Sequence, residues 1–188
     1  MTYNHKLANA FVFLSISFFL FFVPSVLYPE SLKIDMLLEE LKMPIERSRI
    51  EVERDIWAEW SKSGSSRLDS LLNRGRYLMN NKKIDKAISI FDVVIEEKPT
   101  FAEAWNARAT AFYLQGHFDK SISDIDKVLS LNPKHFGALA GLGSIFENLG
   151  YFYAAKEALQ KANEINPKNQ NIRKMLERVV KKTAGESL

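Results

Sequence analysis

Between residues 68 and 169, apolar and small side chains return every 34 residues without insertion. Three segments, 68–101, 102–135 and 136–169, align in one register. Their fourth positions are Leu71, Trp105 and Leu139, and their eighth are the small Gly75, Ala109 and Gly143. Small residues return at Ala87, Ser121 and Ala155, large ones at Phe91, Ile125 and Leu159, and proline at Pro99, Pro133 and Pro167. Lys82, Gly116 or Gly150 divides each segment into two helix-period halves, so each segment is a predicted helix pair. The small positions mark close crossings, where a large side chain would cost about 1–3 kcal/mol in overpacking. Proline ends each second helix. Ser66 with Asp69, and Thr100 with Glu103, read as N-terminal caps. No such pair buries its apolar faces alone, so neighbours must stack.

Both flanks carry further helical patterns. Residues 170–182 place Ile172, Met175, Leu176, Val179 and Val180 on one face and basic or acidic residues on the other, a closing helix before a frayed tail at 183–188. Upstream, Leu37, Leu38 and Leu41 precede Pro44, and Val52, Ile56, Trp57 and Trp60 follow it. This predicts a leading helical hairpin within 26–67, linked to the repeats by Ser63-Gly64-Ser65-Ser66. Leu41 and Glu53 stand where small residues belong, which makes it a degenerate hairpin or an N-terminal cap. Trp57 and Trp60, spaced i and i+3 beside Ile56, read as core.

The 34-residue pattern resembles the tetratricopeptide repeat (TPR). The resemblance covers 68–169 and departs from the family pattern at Lys82 and Ser121. It implies an all-α chain: a right-handed solenoid of helical hairpins with three repeats, the leading hairpin and a C-terminal capping helix, the TPR domain spanning 68–182. The Ile56-to-Trp60 helix, the Ser-Gly-Ser link and the strings 104–109 and 134–143 also resemble short exported TPR proteins of alpha-proteobacteria. In such a stack the first helix of each repeat lines the concave face. The register puts Arg76, Asn80, Glu103, Asn106, Thr110, Tyr113, Ser144, Glu147 and Asn148 there as a candidate groove for a peptide or protein partner. TPR domains that clamp chaperone tails carry Lys, Asn and Arg at places held here by Leu72, Arg76, Ala107, Gly137 and Gly141, so that clamp is absent.

The N-terminus changes the picture of location. Residues 10–23 carry no charge and hold six of the 13 Phe, followed by Pro24. A run of about 14 apolar residues suits an export signal better than the roughly 20 of a spanning helix. Two readings stay open: a cleaved signal over 1–25, or a retained inner-membrane tether through 7–27. Both place the rest of the chain outside the cytoplasm, in the periplasm or anchored facing it.

Composition narrows the chemistry. The 188 residues hold 26 basic and 23 acidic side chains, too balanced to indicate a nucleic-acid partner. Zero cysteines exclude disulfides, thiolate metal sites and Cys nucleophiles. Neither His117 nor His135 has an obvious carboxylate or Ser partner in sequence, and both read as surface histidines. No phosphate-loop or His-Glu-x-x-His motif occurs, so no cofactor, metal or reaction is expected. The expected function is a non-catalytic interaction module in the bacterial envelope. The alternative is a membrane-tethered scaffold that self-associates through the solenoid.

Overall fold

The computed structural model describes residues 30–43 and 47–185, which form helices and no strand. The segments at 1–25 and 186–188 lie outside the described residues, so the export and tether readings do too. Among the described residues, no helix is long and apolar enough to cross a membrane. In chain order the helices are α1 (Glu30–Glu40), α2 (Arg49–Trp60), α3 (Ser66–Asn80), α4 (Ile84–Glu97), α5 (Ala102–Leu114), α6 (Phe118–Leu131), α7 (Phe136–Asn148), α8 (Phe152–Ile165) and α9 (Gln170–Thr183).

Helices α3–α4, α5–α6 and α7–α8 are the three repeat pairs, each packed on the next, with α9 closing on α8. The small positions sit where the helices cross. A Cβ added at Gly143 would lie 2.5 Å from Leu159 Cγ, and one at Gly75 would strike the Phe91 ring. In the middle pair Ser121 does more than stay small: its hydroxyl donates to the Ala109 carbonyl at 2.8 Å across the crossing. On α9, Ile172 and Val179 are buried, whereas Val180, expected on the apolar face, turns outward. The cap readings shift. Ser65, one residue ahead of Ser66, caps α3, and the N-cap of α5 is Phe101, which makes no side-chain cap. Asp69 instead accepts from the Ser63 amide at 2.7 Å, and Glu103 is drawn into a buried ion pair.

The turns inside the pairs need a left-handed residue: Gly116 and Gly150 have φ of 77° and 79°, and Lys82 has 60°. A side chain there crowds the following carbonyl, a strain that glycine avoids. Lys82→Gly should raise the unfolding free energy by about 0.5–1 kcal/mol, read by urea titration. A fall would show that the lysine side chain stabilises the turn.

The leading hairpin does not cap the stack. It folds back across the repeats, where Leu37, Leu38, Leu41, Val52 and Ile56 bury against Phe136, Leu139, Ala162 and Ile172 of α7, α8 and α9. Leu41 is fully buried in that seam, so the large residues that spoil the repeat pattern are the ones that dock the hairpin crosswise. Polar ties hold its edge. Glu53 accepts from Asn166 at 2.9 Å and Asn169 at 3.1 Å, Lys134 pairs with Asp35 at 2.7 Å, and Lys168 donates to the Met43 carbonyl at 2.8 Å. Both Trp57 and Trp60 pack against this cluster, as expected of core residues.

Candidate functional site

Helices α3, α5 and α7 pack along one face, the inner face, and eight of the nine candidate groove residues fall there into three groups, Asn106 standing in two of them. The first is taken by the hairpin. Glu103 is 2% exposed and carries three donors. Its Oε1 accepts from the Arg76 guanidinium and from Asn106 Nδ2 at 3.2 Å, and its Oε2 faces His135 Nε2 at 2.9 Å. The Ala138 amide donates to His135 Nδ1 at 3.0 Å, so the ring hydrogen sits on Nε2 and points at Glu103. Arg76 also reaches the Ser61 hydroxyl at 3.0 Å, at the end of α2. Trp60 stacks on the His135 ring at 4.3 Å, and Trp57 stands edge-on to both. A Cβ at Gly137 would lie 2.5 Å from the Trp57 ring, so this inner-face glycine makes room for the hairpin.

His135 therefore corrects the sequence reading. It is fully buried with a carboxylate partner 32 residues away, whereas His117 lies exposed. Local sequence could not show this, because Glu103 meets His135 only when α5 and α7 stack. One signal was present: Glu103 and Gly137 share the same position of successive repeats, where the hairpin crosses.

The second group belongs to the closing helix. Glu147 receives Arg178 in a two-pronged pair, at 2.7 Å to each oxygen, and Lys182 at 3.1 Å. Hydrogen bonding from Arg178, aided by Lys182, holds the Glu147 carboxyl below its ordinary value against the opposing effect of burial. On the outer side Arg108 makes a similar clamp: two bonds of 2.8 Å to buried Asp124 and one of 2.6 Å to Asp92. Asp124, joined by Asp92, raises the Arg108 guanidinium despite its burial. These clamps join neighbouring elements.

The third group stays together as a surface. Asn106, Thr110, Tyr113 and Ser144 rim a cleft of about 130 Å³ between α5 and α7, floored by Ala109, Ser121, Ile125, Ala138 and Ile145. Gly137 and Gly141 complete its α7 wall. Asn148 lies exposed beside it, donating to the Tyr113 hydroxyl at 3.2 Å. No charged side chain lines the cleft. Asn80 is exposed on α3, outside the cleft.

Comparison with known proteins agrees with this geometry. Tetratricopeptide repeat family models match residues 102–135 and 136–169, the α5–α6 and α7–α8 pairs with their connecting turns. A TPR repeat-containing protein of Rhizobium etli is 31% identical over 87 residues, 46% of this chain. The match spans only 43% of that relative's length. Among solved structures, the Sgt2 TPR domain of Aspergillus fumigatus is similar with a TM-score of 0.61 and 24% identity, over 64% of this chain and 81% of that one. The Yersinia enterocolitica type III secretion chaperone SycD, in complex with a peptide of the translocator YopD, has a TM-score of 0.59 and 15% identity, over 65% and 99%. The second TPR domain of human RPAP3, in complex with the HSP70 peptide SGPTIEEVD, has 0.56 and 21%, over 59% and 92%. At these identities the likeness is one of fold. Two matched repeats, with a third helix pair stacked in register beside them, make this a chain that carries tetratricopeptide repeats.

Proposed function

We propose that this protein is an interaction module that takes a peptide or protein segment on its inner face, in the bacterial envelope. One observation carries the binding reading. After the hairpin and α9 have taken Arg76, Glu103 and Glu147, the rest of the inner face still presents an open cleft rimmed by hydrogen-bonding side chains. Asparagine, threonine and tyrosine can meet an extended backbone while an apolar floor takes a side chain. The peptide complexes of SycD and RPAP3 support the same use of the fold. The uncharged run at 10–23 supports export. Its retention would make the protein a membrane-tethered scaffold, and the mass of the mature N-terminus separates the two.

The test places a photo-crosslinking residue at Thr110, which is exposed on the rim. Irradiated cells should yield a discrete adduct. Asn106→Ala with Tyr113→Ala should reduce it about tenfold, a loss of some 1.4 kcal/mol, with the helical signal unchanged. An adduct that survives both substitutions would place the partner elsewhere.

A further inference from the structure

Four glycines lie inside the repeat helices, and three answer to packing. Added Cβ atoms at Gly75, Gly137 and Gly143 would collide with Phe91, Trp57 and Leu159. Gly141 differs. The nearest atom to its added Cβ is Ile125 Cδ1 at 3.7 Å, an ordinary contact, and its backbone is plain helix. A glycine inside a helix costs stability relative to alanine, and no neighbour requires one here. What Gly141 does is keep the α7 wall of the cleft open.

From this we infer that the cleft over Gly141 is an anchor subsite for one uncharged, branched aliphatic side chain, valine- to leucine-sized, of a bound peptide. The inference rests on the inner face being the binding surface and names the kind of segment it selects. Size sets the scale: an enclosed cavity of about 150 Å³ accommodates benzene, and the open cleft of about 130 Å³ holds a leucine side chain. Charge sets the class. The floor is Ala109, Ile125, Ala138 and Ile145 with Ser121, whose hydroxyl already donates to the Ala109 carbonyl, and no cation or carboxylate lines the cleft. An Asp or Lys placed there would lose its hydration with no counter-charge in return. The Glu and Asp side chains of the peptide printed for the RPAP3 complex would find no counter-charge here. Direction follows from the hairpin. Trp57 covers Gly137 at one end of the cleft, so the ligand backbone leaves past Ser144 toward Tyr113 and Asn148.

The experiment uses the full-length chain in lipid nanodiscs, with methyl-labelled alanine and isoleucine, titrated with acetyl-Gly-Leu-Gly-amide and acetyl-Gly-Asp-Gly-amide. The leucine probe should shift the Ala109, Ala138 and Ile145 methyl signals saturably, at least tenfold more tightly than the aspartate probe. Gly141→Leu should abolish those shifts, because its side chain fills the cleft from within. Gly141→Ala guards against misfolding: it should melt higher than the parent and bind the leucine probe more weakly. Equal shifts from the two probes, or a Gly141→Ala variant that binds as the parent does, overturn the inference. The Thr110 adduct separates this from the broader reading. An adduct that persists undiminished in Gly141→Ala removes the anchor and keeps the groove. A parent chain without adduct whose methyls still respond to leucine keeps the subsite and removes the protein partner.

Discussion

Glu103→Ala should lower the unfolding free energy by about 3–5 kcal/mol, the cost of breaking a buried ion pair from one side. Glu103 is 2% exposed and carries Arg76, Asn106 and His135 on its two oxygens. Its removal leaves the Arg76 charge half-buried and the His135 Nε2 hydrogen buried without an acceptor. Glu103→Gln should recover part of the loss, since its amide oxygen can still accept while its NH₂ must face a donor. Urea titration reads the size, and hydrogen exchange along α1 and α2 reads the place. The hairpin amides should lose protection first, because Arg76 reaches Ser61 and His135 carries Trp60. A loss below about 1 kcal/mol would mean that apolar docking alone holds the hairpin.

Trp57→Ala should cost about 2–4 kcal/mol, somewhat below the roughly 3–5 of a fully buried aromatic truncation because the indole is only half-buried. The ring fills the space over Gly137 and touches Trp60, His135 and Phe136, so its loss leaves a cavity beneath a hairpin that cannot settle without releasing Glu53. A second substitution makes the test specific. Gly137→Ala should destabilise the parent, where its Cβ meets the Trp57 ring, and be neutral or stabilising in the Trp57→Ala background. The same sign in both backgrounds would show that the indole and the glycine are not fitted to each other. Glu103→Ala and Trp57→Ala should combine for less than their sum, since both act through His135.

The helices of the repeats were legible because each is decided locally. Gly75 and Gly143 could be read as crossing points, and Gly116 and Gly150 as turns, from spacing alone. The groove was less legible. The register put nine residues on one face, but a register cannot say what else packs there. Arg76 reaches the hairpin and is held by Glu103, and Glu147 holds the closing helix, which leaves a shorter surface around Asn106, Thr110, Tyr113 and Ser144. The cap readings erred for a related reason. Thr100 and Glu103 fit a capping box in sequence, yet a buried partner 32 residues on claims the carboxylate.

By itself, the sequence determined the period, the helix pairs, the small crossing positions and the closing helix. Each depends on residues within about one repeat of each other, where spacing and side-chain volume suffice. Tertiary structure alone decided where the leading hairpin goes and, through it, which part of the inner face stays open. That choice rests on contacts such as Glu53 to Asn166 and Trp57 to Gly137, between parts of the chain 80 or more residues apart. Such contacts have no period. They exist because the stacked repeats bring His135, Gly137 and Glu103 to one place, and because an indole and a buried carboxylate are stable only where a gap and matching donors already await them.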